Sequence, residues 1–134
     1  LPVDSLNWFE ATEFCQKLSW VLARPVRLPT SDEYFTALGS LRYVDISDIA
    51  WAADSGTGQT QEVATKNANR NGFHDLLGNV KEWLSNPGEE ADSRLVAGGS
   101  AEDSIDTLAD RPAYPENDRV RRRMIGFRYV VEMQ

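Results

Sequence analysis

Residues 54–72, DSGTGQTQEVATKNANRNG, show neither the 3.6-residue period of a helix nor the alternation of a strand. Patternless runs of ~20 residues are uncommon inside compact domains, where they serve as function-bearing loops or mobile ones. A chain built around such a stretch must carry much ordered loop on few regular elements. Its four tryptophans and nine glycines are suited to that task, through burial and tight turns.

The regular elements cluster at the two ends. NWFEATEFCQKLSWVL (7–22) places Ala11, Phe14, Cys15, Leu18 and Leu22 on one helical face. Asn7 can cap this helix while Glu10 reaches back, and Arg24-Pro25 ends it. A second helix is predicted from Ser31 to Leu38, capped by Thr30 with Glu33 three residues on and stopped at Gly39. Beyond it the signals weaken. IAWAA (49–53) is a possible strand, RLVAGG (94–99) a short strand stopped by glycines, and Ser100 to Glu116 reads as irregular. MIGFRYVVEM alternates Ile125, Phe127, Tyr129 and Val131 with Gly126, Arg128, Val130 and Glu132, which predicts one half-buried strand. The class is α+β, with two N-terminal helices, short antiparallel strands and much ordered loop.

With 134 residues, 41% of them hydrophobic, the chain is sized for a single folded domain, 1–134. A net charge of −7 disfavours nucleic acid as a partner. The basic knot of Arg119, Arg121, Arg122 and Arg123 has two readings, pairing with the domain's own carboxylates or with an acidic partner. No apolar run is long enough for a membrane span, and one cysteine cannot form an intrachain disulfide, so a cytoplasmic setting is the expectation.

Five segments in order resemble the formylglycine-generating-enzyme-like, or sulfatase-modifying-factor, family. They are PVDSLNWFEATEFCQKLS, RLPTSDEY, NGFHDLLGNVKEW, RLVAGGS and IGFRYVV. The resemblance covers nearly the whole chain and implies an elaborated C-type-lectin-like fold. It also implies a further N-terminal portion, which makes a processed fragment, or a partner polypeptide supplying that portion, an expectation. Such a chain would expose unpaired strand edges until they are filled.

The departures from the family pattern shape the functional expectation. Members that oxidise cysteine to formylglycine use a cysteine pair after the G-G-S segment, to hold copper and the substrate thiol. This chain has no cysteine between Gly99 and Gly126, so no copper is expected. Cys15 sits on the apolar face of the first helix, where a thiol packs as a small hydrophobe. His74 is the lone histidine, too few for an iron site of two histidines and a carboxylate, and its ordinary role is structural or at the surface.

The GNVKEW stretch places the Asp75 carboxylate, the Gly78 and Val80 carbonyls and the Glu82 carboxylate at i, i+3, i+5 and i+7. In relatives these positions hold a structural calcium, an ion that accepts such mixed oxygen ligands. The other reading is a capped turn with a solvated Glu82. Arg128 is suited to bonding carbonyls or a buried carboxylate. The resulting expectation is a non-catalytic sensor or scaffold domain that binds a protein or peptide. Its recognition loops would be 54–70 and 100–116, where Glu102, Asp103, Asp106 and Asp110 favour a cationic ligand. The alternative is an oxidoreductase of the same family that uses a metal or a partner's residues in place of the cysteine pair.

Overall fold

The computed structural model describes residues 1–133. Both predicted helices form, and both begin with the expected reciprocal caps. Asn7 accepts from the Glu10 amide and Glu10 from the Asn7 amide, each at 2.9 Å, which starts α1 (Trp8–Leu22). Thr30 and Glu33 exchange the same pair at 3.1 and 2.8 Å to start α2 (Ser31–Leu38). Ala23 ends α1 in the left-handed region, just before Arg24-Pro25.

Two sheets follow. β2 (Lys81–Pro87) lies at the centre of the larger one, whose order is β4 (Ala113–Asn117), β3 (Ser93–Ala97), β2 and β5 (Ile125–Gly126). The smaller sheet joins β1 (Val26–Arg27) to β6 (Val130–Val131), with Val26 opposite Val131. A five-residue helix, α3 (Ile105–Ala109), and a 3-10 turn at Ile46–Asp48 complete the elements.

The structure corrects several expectations. The strands are not all antiparallel, because β5 runs parallel to β2, with Lys81 opposite Ile125 and Glu82 opposite Gly126. After β2 the chain goes out through β3, α3 and β4 and returns to the far side of β2, the long connection a parallel neighbour requires. The expected single C-terminal strand is broken. Ile125 and Gly126 serve the large sheet, Val130 and Val131 the small one, and Phe127–Tyr129 cross between them. Segment 100–116, read as irregular, holds α3 and β4. Segment 49–53 is no strand and contributes one bridge, Trp51 to Gly78.

Alternation along β2 sends neighbours into different cores. Trp83 is fully buried with Ala11, Cys15, Val26, Leu28, Val96 and Ile125 beneath α1. Leu84 faces the other way, among Tyr34, Leu38, Leu77, Ala97 and Leu108. The indoles also stitch elements together: Trp83 Nε1 donates to the Leu6 carbonyl at 3.1 Å and Trp8 Nε1 to that of Leu84 at 3.0 Å.

Candidate functional site

Just before β2 the chain curls. Asp75, Gly78 and Asn79 all have φ near +60 to +75° (58, 73 and 61°), a conformation that turns the backbone tightly. Glycine is required at position 78, since a Cβ there would run into the Trp51 carbonyl. The Gly78 amide donates to Gly98 at 2.8 Å and the Asn79 amide to Trp51 at 2.9 Å.

Asn79 is 1% exposed and does more than occupy a turn. Its side-chain oxygen accepts from the Gln61 amide and its Nδ2 donates to the Gln61 carbonyl, both at 3.0 Å. One buried amide thus clamps the patternless loop to the segment that leads into the central strand β2. Asp75 holds the same loop, accepting from the Ala64 amide at 2.8 Å through Oδ2. Its other oxygen, Oδ1, is buried and has no hydrogen-bond partner among the described residues.

Glu82 lies within this frame with 3% of its surface exposed. Arg128 donates to it through Nε at 2.5 Å and Nη2 at 3.1 Å, and also through Nη2 to the His74 carbonyl at 2.8 Å. Tyr34, fully buried, donates to the Leu76 carbonyl and approaches Glu82 at 3.4 Å. Burial pushes the Glu82 carboxyl above its ordinary range, opposed by the Arg128 charge, and pushes the Tyr34 phenol well up. The expectation that Arg128 bonds carbonyls or a buried carboxylate is met by His74 and Glu82. Tyr34 was not singled out in the sequence, although its burial with Leu38, one turn apart on a short helix, follows helical spacing.

Asp75, Val80, Glu82 and Arg128 line one cavity of about 610 Å³, whose remaining wall is largely apolar and includes Phe14, Phe127 and Tyr129. Gly78 does not line it and packs against the Trp51 backbone. The four acidic loop residues lie elsewhere. Glu102 pairs with Arg123 at 2.6 Å, and Asp103 accepts from the Ser100 amide at 2.8 Å. Asp106 and Asp110 are exposed at the two ends of α3. Of the basic knot, Arg121 pairs with Glu10 at 2.7 Å and Arg122 with Glu116 at 3.3 Å, so three of its arginines meet the domain's own carboxylates.

Cys15 is 2% exposed and burial raises its thiol pKa, the setting of an inert thiol. His74 Nδ1 lies 3.0 Å from the Lys66 carbonyl. Among the described residues no three or more His, Cys, Asp or Glu side chains gather as metal ligands. A cation at the curl would therefore draw on carbonyl oxygens as well as Asp75 and Glu82. No helix among the described residues is long and apolar enough to cross a membrane.

Comparison with known proteins places this architecture. Treponema denticola variable protein 1 superposes with a TM-score of 0.85 at 23% identity, covering 96% of this chain and 70% of that one. PvdO from Pseudomonas aeruginosa gives 0.83 at 17% identity, covering 98% and 62%, and CarF gives 0.79 at 23%, covering 99% and 68%. These likenesses establish the fold. In sequence the chain is 31% identical over 134 residues to the inactive C-alpha-formylglycine-generating enzyme 2 of Mus musculus, an alignment taking in 84% of this chain. It spans 42% of that relative's length. The family model for the sulfatase-modifying factor enzyme 1-like domain matches residues 1–133, and the chain belongs to that family.

Proposed function

We propose that this chain is a non-catalytic binding domain of its family, a sensor or scaffold that takes a protein or peptide partner. The observation that carries this reading is the placement of its one sulfur nucleophile. Cys15 is packed beneath α1 against Trp83, does not line the cavity, and has its thiol pKa raised by burial. Thiol oxidation chemistry needs a reachable thiolate. That the mouse relative is itself named inactive supports the same reading.

The cavity wall and the exposed carboxylates Asp106 and Asp110 are the surfaces on which a cationic partner would be read. The test is oxygen uptake by chelator-treated protein after addition of copper or iron and a cysteine-containing peptide. No uptake above buffer is expected. Stoichiometric uptake would overturn the reading in favour of an oxidoreductase working through a metal or a partner's residues.

Calcium at the curl is part of the proposal. The left-handed backbone at Asp75, Gly78 and Asn79, and the buried Asp75 Oδ1 that lacks a donor, suit a cation held by Asp75, the Gly78 and Val80 carbonyls and Glu82. Its role is structural, neutralising the Asp75 carboxylate, beside a Glu82 already paired with Arg128, where the long loop is pinned. Calcium should raise the Tm of chelator-treated protein while magnesium does not, and Asp75→Ala should abolish the rise. A Tm indifferent to calcium would remove this part of the proposal.

A further inference from the structure

A loop is as ordered as the atoms that hold it, and for residues 57–64 those atoms lie in one place. Among the described residues, every hydrogen bond that ties this segment to the chain outside 57–65 ends on Asp75 or Asn79. Gln61 gives its amide and carbonyl to the Asn79 side chain, and Ala64 gives its amide to Asp75 Oδ2. The remaining bonds, from Gln61 to Thr57 and from Thr65 to Glu62, stay within the segment and its neighbour. Packing adds little, since Val63 is 54% exposed and Gly58 faces open space. Ala64 also has a left-handed backbone (φ 59°), which a residue with a Cβ adopts only where its surroundings hold it there.

The two oxygens of Asp75 are unequally served. Oδ2 receives the Ala64 amide, while Oδ1 is buried without a partner. Closing the segment over Asp75 therefore takes one charged oxygen out of water and returns nothing to it, a cost that a cation at Oδ1 removes. The converse follows from linkage: whatever an ion adds to closure, closure adds to the affinity for the ion. Asn79 stands between Gly78 and Val80, whose carbonyls face the same demand, so its grip on Gln61 is set by the same backbone. Glu82 has Arg128 and is not needed for this coupling.

We propose that Asp75 is a calcium-dependent latch on the long loop: one oxygen serves the cation, the other holds the Ala64 amide, and calcium at the curl thereby orders residues 57–64. The inference rests on the calcium reading of the curl and goes beyond it, because an ion that only braced the turn before β2 would leave this segment indifferent. Val63 and Ala64 stand in the wall of the 610 Å³ cavity, so the latch also fixes that wall.

The test is hydrogen exchange on the intact, chelator-treated chain, with calcium or magnesium alone as the probe. Calcium should slow the Gln61 and Ala64 amides by about tenfold or more and magnesium should not. The Asn67 amide, which bonds the Asp48 carbonyl instead, should change far less. Reciprocity supplies a second readout. Gln61→Pro removes an amide donated to Asn79 and touches no calcium ligand, so calorimetric titration should show calcium bound about tenfold more weakly, while Gln61→Ala, which keeps that amide, should bind as the wild type does. A calcium-dependent rise in Tm without slowing at Gln61 and Ala64, or a Gln61→Pro chain that binds calcium as tightly as the wild type, overturns the latch and leaves the calcium reading standing. No rise in Tm overturns both.

Discussion

Removing the Arg128 guanidinium would leave the Glu82 carboxylate buried without its charged partner, while the nearby Tyr34 hydroxyl donates to the Leu76 carbonyl. Arg128→Ala should therefore cost about 3 kcal/mol in denaturant unfolding, whereas replacing both partners, Glu82→Leu with Arg128→Met, should be close to neutral. Glu33 titrates in the opposite sense. Arg27, and then the Thr30 amide, hold its carboxyl down to about 2 against a reference of 4.5. Its stabilising contribution is fully present above pH 4.5 and is lost as pH falls toward 2. The pair is more than a third exposed (38% and 37%), so after solvent screening the contribution is about 1 kcal/mol. Glu33→Gln should lower stability at neutral pH by that amount and flatten acid unfolding across that window. Arg128 as a structural arginine was legible from its chemistry, a planar fork in an apolar strand. Its partner was not, because Glu82 is distant in sequence and any of many carboxylates could have filled that role.

At the scale of elements, capping carried the clearest signal. A capping residue and its acidic partner lie three residues apart, so the bonds that start a helix are local and readable in one segment. Asn7→Ala should cost about 1 kcal/mol, with the loss confined to fraying of the first turn of α1 as seen by hydrogen exchange. Strands were harder because their partners are remote. The C-terminal alternation was real, yet its two halves joined different sheets, a division invisible to a pattern of period two. β4 was hidden by Pro115, tolerated because the residue lies on an edge, and α3 by its brevity.

For the whole molecule, the long loop between Asp54 and Gly72 is stable to the extent that its anchors hold. Asn79→Ala should leave Gln61 with two unmet backbone groups, cost about 1–3 kcal/mol, and open that segment to limited proteolysis while the sheet amides stay protected. The helix starts and the burial of Cys15 were written in local spacing, because each depends on residues within a turn or two of one another. The parallel return of β5, the clamp from Asn79 to Gln61 and the Glu82–Arg128 pair arise from contacts between distant segments. Side-chain periodicity reports which face of a segment is apolar, and it carries no record of which other segment will come to lie against that face.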